Sequence, residues 1–270
     1  MYCEFYGLKE LPFNITPDPK FLFFTNQHKE AFNHLLYGIQ QRKGFIQLTG
    51  EVGSGKTTLC RAVLSALPSN VKTALVLNPG LTENQLLRAI LTDFGIKVTN
   101  KDKFSYIERL NSFLLDQLKK NNNVTIIIDE AQNLSSQVLE QIRLLSNLET
   151  DQHKLMQIVL CGQPELREKL MSENLRQLRQ RITVRYHLTP LSESDVALYI
   201  NHRMKMAGWQ NQNSIFTDEA ISAIYSYTQG VPRLINAVCD IALLAGFVAG
   251  QKIVNKDCVF KAIKQLEGTE

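Results

Sequence analysis

Gly50-Glu51-Val52-Gly53-Ser54-Gly55-Lys56-Thr57 decides the fold. Glycines stand at the first and sixth places, and a lysine and a threonine close the stretch. The apolar run Phe45-Ile46-Gln47-Leu48-Thr49 precedes it, and a helical pattern from Lys56 to Ala66 follows. A strand, a glycine-rich turn and a helix in that order form a phosphate-binding loop. The glycines let backbone amides converge on phosphate oxygens while the helix points its positive end at them. Lys56 is expected to reach the outer phosphates, and the Thr57 hydroxyl to ligate Mg²⁺. The predicted binding segment is thus Gly50, Glu51, Val52, Gly53, Ser54, Gly55, Lys56, Thr57 and Thr58.

Working outward, short apolar runs alternate with helical patterns. Strands are expected at 45–49, 73–77, 124–128, 156–161 and 183–188. Helices are expected at 26–41, 56–66, 83–94, 104–120 and 136–148, with a charged helical patch at 165–180. That alternation predicts a parallel sheet covered on both faces, the α/β class of a P-loop NTPase. After Pro190 strands cease, and four helices are expected at 193–207, 218–228, 232–249 and 256–266. The boundary is placed there: residues 1–190 form the nucleotide-binding domain, opened by an irregular strap rich in aromatics and turn formers, and 191–270 form a small all-helical lid.

Val124-Thr125-Ile126-Ile127-Ile128 runs into Asp129-Glu130, 73 positions after Lys56. In an open parallel sheet, ligands lie beyond the carboxyl ends of the strands, where this pair falls. Asp129 is expected to hold Mg²⁺, and Glu130 to polarise a water for in-line attack on the terminal phosphate. Gln163 follows the 156–161 strand and can orient that water, or else cap the next helix. Leu175-Arg176-Gln177-Leu178-Arg179-Gln180-Arg181 is either a solvated basic face or the source of a cation for a neighbouring subunit's phosphates. Arg181 is favoured over Arg179 from its place at the strand junction. Arg233, after Gly230-Val231-Pro232, begins a lid helix and can fold back on the nucleotide of its own chain.

Composition sets outer limits. Apolar residues are 44% and charged residues 21%, which suits a folded globular protein rather than a disordered one. The net charge of +4 is too small to identify a nucleic-acid or membrane partner. The five cysteines lie far apart in sequence, which fits neither zinc-ligand spacing nor a disulfide framework, so core thiols are expected. No export signal is read at the N-terminus. The longest apolar stretch, Ala237 to Gly250, contains Asp240 and is too short to span a bilayer, so it is expected as a buried helix.

Taken together, several segments resemble the AAA+ superfamily and, within it, the general secretion pathway protein A family. They are Tyr6-Gly7-Leu8, Pro12-Phe13-Asn14-Ile15-Thr16-Pro17-Asp18-Pro19, the phosphate loop, Asp129-Glu130-Ala131-Gln132, Gly162-Gln163-Pro164-Glu165-Leu166 and Gly230-Val231-Pro232-Arg233-Leu234-Ile235-Asn236. That family includes the ATPase of mannose-sensitive haemagglutinin pilus biogenesis, and related ATPases select transposition targets. The resemblance implies ATP and Mg²⁺ as cofactors, Gln163 as a first sensor and Arg233 as a second. It further implies Arg179 or Arg181 as a trans-acting finger, and a strap that helps enclose the adenine.

The resemblance also implies a homo-oligomer supporting assembly of a type II secretion system or a type IV pilus. Its place would be the cytoplasm, with membrane association only through partners or a region beyond this chain. ATP is expected over GTP, because Asn255-Lys256-Asp257-Cys258 lacks the final aspartate of a guanine motif. The competing expectation is an ATP-dependent DNA-binding regulator. For that reading Arg203 and Lys205 offer cations, without a dense basic stripe.

Overall fold

Each apolar run becomes a strand: β1 (Phe45–Gly50), β2 (Val71–Val76), β3 (Asn123–Ile128), β4 (Gln157–Gly162) and β5 (Ile182–Leu188). All pairings are parallel, and the sheet order is β2-β3-β4-β1-β5. The helices are α1 (Tyr2–Tyr6), α2 (Asn26–Gln40), α3 (Lys56–Ala66), α4 (Glu83–Asp93), α5 (Lys103–Lys119) and α6 (Ser136–Leu145). They continue with α7 (Pro164–Leu170), α8 (Arg176–Arg181), α9 (Glu193–Met206), α10 (Asp218–Thr228), α11 (Pro232–Val248) and α12 (Lys256–Glu267). The computed structural model describes residues 1–14, 18–77, 80–98, 102–149, 154–211 and 214–269. Ile15, Thr16 and Pro17 of the strap lie outside the described residues.

The chain forms two compact units. The first is Gln27–Gly50 with Leu59–Leu188, and the second is Met1–Asn26, Glu51–Thr58 and Thr189–Glu270.

In the first unit, β1, β3 and β4 are buried along their whole length, whereas β2 and β5 alternate in burial because they are the sheet's edges. Successive side chains of a strand point to opposite faces, so each central strand feeds two cores. Ile126, Ile128, Ile158 and Leu160 pack with Leu86, Leu110 and Leu139 from α4, α5 and α6 on one face. Ile127, Val159, Ile46 and Leu48 pack with Leu35 and Ile39 of α2 and with Leu59 and Val63 of α3 on the other. Each such buried Leu or Ile contributes about 1.5–3 kcal/mol. The pairing aligns Thr49 with Gly162 and Ile128 with Leu160, so β1, β3 and β4 end at one edge.

Local chemistry sets the ends of the helices. Thr82 and Gln85 form a reciprocal capping box at α4, while Asp102, Ser135, Ser192 and Thr217 cap α5, α6, α9 and α10. Asn255 caps α12 by accepting the Cys258 N–H, so the partial guanine motif is a helix start. The charged helical patch expected at 165–180 consists of α7, a 3₁₀ turn at Glu173–Leu175 and α8.

In the second unit the strap is more ordered than its composition suggests. It contains α1 and a 3₁₀ turn at Pro19–Phe21, and Tyr2, Tyr6, Leu8, Phe13 and Phe21 join the core formed by α9 to α12. The sequence reading grouped this strap with the nucleotide-binding domain; its apolar side chains pack in the helical core. Arg203 fastens it. This arginine, offered above as a surface cation for DNA, is only 6% exposed. It donates to the carbonyl oxygens of Pro12 (2.6 Å) and Asn14 (3.2 Å) and to the Tyr199 hydroxyl (2.9 Å), which donates to Asn236 Oδ1 (2.8 Å). Its guanidinium also lies over the Phe21 ring at 4.9 Å. A buried cation with this many acceptors is a structural clamp, not a nucleic-acid contact.

Candidate functional site

The phosphate loop belongs to the helical unit, where its own backbone and α11 shape it. Gly53 and Gly55 have φ of 78° and 93°, which puts both in the left-handed region that glycine occupies without strain. Lys56 is 5% exposed, and its Nζ donates to the Glu51 carbonyl at 2.8 Å, across the loop it closes. Arg233 sits directly against the loop: its backbone N–H donates to the Gly53 carbonyl at 3.3 Å. Pro232 opens α11 at the position where a missing N–H costs nothing.

A methyl group at Gly53 would lie 2.4 Å from Cβ of Arg233. Gly53→Ala is therefore expected to displace the loop from α11 as well as to force a left-handed alanine, at a strain of about 1–2 kcal/mol. If nucleotide binding requires the native loop, affinity falls by roughly 5- to 30-fold for that strain alone. Calorimetric titration with ATP checks this, and unchanged affinity would mean that the loop binds in another shape.

In the sheet unit, three side chains meet where β3 and β4 end. Asp129 is 3% exposed; its N–H donates to the Val76 carbonyl at 2.8 Å, and its Oδ1 accepts the Glu130 N–H at 3.0 Å. Glu130 has φ 53° and ψ 35°, an uncommon conformation for a non-glycine residue, of the kind that clusters at functional sites. Its Oε2 accepts from Gln132 Nε2 (2.5 Å) and from Gln163 Nε2 (3.0 Å). Gln132 Oε1 in turn accepts the Gln163 N–H at 3.1 Å. Three residues thus close a ring of hydrogen bonds on one carboxylate oxygen.

Gln163 is the residue before α7, but its side chain makes no capping bond; it turns to Glu130 instead. Gln132 was quoted in the sequence only as part of a motif, with no role assigned. Two further features fix it. A Cβ at Gly162 would lie 2.8 Å from Gln132 Oε1 and would push the amide from its place, and Lys169 Nζ donates to the carbonyls of Gln132 and Leu134.

The arginines go elsewhere. Arg181 Nη1 donates to Ser146 Oγ at 2.7 Å and to the Arg143 carbonyl at 3.4 Å, which binds it to the end of α6. Arg179 Nη1 donates to the Met171 carbonyl at 2.9 Å, just past α7. Both guanidiniums are engaged within their own chain, and neither contacts the Glu130 ring. Among the described residues, no group of three or more His, Cys, Asp or Glu side chains is placed to hold a metal ion. No helix of the described residues is long and apolar enough to cross a membrane.

Comparison with known proteins agrees with this architecture. Residues 39–170 match the AAA domain family. The chain is 48% identical over 262 residues to general secretion pathway protein A of Aeromonas hydrophila, covering 95% of this chain and 47% of that protein. It therefore spans about half the length of this curated relative. Among solved structures, Cdc6p from Pyrobaculum aerophilum superposes with a TM-score of 0.71 at 16% identity, covering 94% of this chain and 70% of that one. The RuvB Holliday junction branch migration motor of Thermotoga maritima gives 0.56 at 18% identity, covering 90% and 70%. At those identities the likeness speaks for the fold. The parallel sheet, the phosphate loop, the Asp129-Glu130 strand end and the close secretion relative together place the chain among the AAA+ ATPases of the general secretion pathway protein A type.

Proposed function

We propose that this chain binds and hydrolyses ATP, and that it does so as an oligomer supporting assembly of a type II secretion system or type IV pilus. The observation that carries the hydrolytic part is the Glu130 carboxylate, held by two amides at the carboxyl ends of β3 and β4. Both bonds fall on Oε2, which fixes the group's orientation. A positioned carboxylate is what in-line attack of water on a terminal phosphate needs. The assembly role draws on the similarity to general secretion pathway protein A.

The remaining roles follow the chemistry of each group. The loop amides and Lys56 hold the phosphates. The Thr57 hydroxyl and the Asp129 carboxylate are hard oxygen donors that suit Mg²⁺, and that ion usually takes only one or two protein ligands beside phosphate oxygens and water. When bound, it supplies charge neutralisation at the phosphates. Gln163 orients the attacking water through its contact with Glu130, and Arg233 senses the nucleotide from the start of α11.

Arg179 or Arg181 serves as the trans finger. Mixing tests this. Either arginine changed to alanine is expected to leave ATP binding by isolated subunits nearly intact while oligomer-dependent turnover falls steeply. Adding Glu130→Gln subunits to the finger variant then restores part of the rate, because some interfaces regain both intact groups. Mixed oligomers that hydrolyse no faster than either variant alone would remove that arginine from the shared site. Turnover of ATP and GTP measured side by side checks the nucleotide, and a strong GTP preference would overturn the ATP assignment.

A further inference from the structure

Between the β1–β5 edge of the sheet and the helices α7 and α8 lies a cavity of about 490 Å³. Its floor is set by strand register. Gln47 pairs with Arg185 and Thr49 with His187, so these four side chains share one face. Gln47 and Thr49 are 5% and 2% exposed, whereas Arg185 and His187 are exposed, so the floor is polar and its inner half is buried. Arg167 of α7 and Arg179 of α8 complete the wall, with Leu170 and Met171 as its apolar part.

Three guanidiniums from three different elements therefore line one cavity, and no carboxylate is among its lining residues. Among the described residues, none of the three forms an ion pair with an acidic side chain. Arg179 leans on the Met171 carbonyl and Arg185 on the Arg179 carbonyl at 2.5 Å, contacts that orient the charges without neutralising them. A sphere of that volume is about 10 Å across, comparable with the Debye length of about 8 Å in physiological salt.

We propose that this cavity is a binding site for a small di- or triphosphate, built from none of the phosphate-loop residues. Three positive charges, two of them oriented by backbone carbonyls, match the charge of a diphosphate. Arginine is the side chain whose planar fork best fits phosphate oxygens. The volume falls within the about 300–1,000 Å³ range of small-molecule sites and exceeds what a bare phosphate fills. Leu170 and Met171 give the remainder of a nucleotide-sized ligand an apolar surface to lie against. The His187 ring, anchored by its Nδ1 to Thr49 Oγ1 at 3.0 Å, gives the floor a fixed shape.

Inorganic pyrophosphate is the probe. It is titrated calorimetrically into the 270-residue chain carrying Lys56→Ala, which weakens the phosphate loop, and into the same chain with Arg167→Gln and Arg185→Gln added. The first protein is expected to bind one pyrophosphate, and the second to bind it at least ~10-fold more weakly, as loss of two charge-assisted contacts requires. Should the combined variant melt early, Arg167→Gln alone, on an exposed turn of α7, is expected to cost ~3-fold or more. Equal affinity with and without the arginine changes overturns the site. So does sulfate binding as tightly as pyrophosphate, which would report charge alone. With Lys56 unchanged, pyrophosphate binding by way of these arginines that appears only once ATP has assembled the chain would assign the cluster to a neighbouring copy's nucleotide and equally overturn a site for a free ligand.

Discussion

Lys56→Ala is expected to lower ATP affinity by about 10²-fold or more while leaving the fold intact. The loss follows from what the loop has to offer an anion. Its backbone amides are partial charges, and Lys56 is the full positive charge built into it. A hydrogen bond to a charged group is worth about 1.5–3 kcal/mol, so two such bonds to the outer phosphates account for roughly 10²- to 10⁴-fold. The lysine already lies within the loop, with Nζ on the Glu51 carbonyl and its side chain nearly buried, so little ordering is required when a nucleotide arrives. The fold should survive because Lys56 opens α3, where alanine is the most favourable helix residue. Calorimetry with ATP measures the affinity, and a thermal melt of the nucleotide-free protein provides the control. Micromolar binding retained by this variant would sink the phosphate-loop assignment.

How far the sequence led depends on the range of the interactions involved. The strands were legible because an apolar run bounded by turn residues has one stable use in a sheet covered on both faces, and β1 and β3 fall within one residue of their expected bounds. The long helices were legible from their periodicity and caps. Short elements were not. α1 spans five residues and has no side-chain cap, so it exists only because Tyr2 and Tyr6 pack into the helical core. At 165–180 a helical period ran through Ser172, where the chain turns between α7 and the 3₁₀ segment.

The site divides in the same way. Asp129 and Glu130 could be read from their place at the end of an apolar strand. Gln132 could not, because its partner, the Gln163 N–H, lies 31 residues away and comes beside it only through the β3–β4 pairing. Arg203 misled for the same reason. On α9 it has charged neighbours and resembles a solvated arginine, yet its acceptors are strap carbonyls 191 and 189 residues earlier. Arg181 was favoured as a finger for standing at a helix–strand junction, and that junction is where Ser146, just past α6, receives it.

Glu130→Gln is expected to bind ATP as the unchanged chain does while hydrolysis falls by ~10²-fold or more, the scale of a lost general base. The geometry explains why binding is spared. Gln132 and Gln163 both donate to Oε2, so a glutamine at 130 can present its single oxygen to them and keep the hydrogen-bonded ring closed. Its NH₂ then occupies the place of the other carboxylate oxygen. That amide is nearly the same size as the oxygen it replaces, but it cannot take a proton from water. The backbone at Glu130 sits in the left-handed region, which glutamine tolerates no better and no worse than glutamate, so the strain is unchanged. Single-turnover hydrolysis with radiolabelled ATP separates the chemical step from product release, and equilibrium titration gives the affinity. The variant should also accumulate in ATP-bound assemblies if hydrolysis normally ends the assembled state, and sedimentation with ATP reads that directly. Unchanged turnover would mean that another group activates the water. Monomers alone in the presence of ATP would detach assembly from the nucleotide cycle.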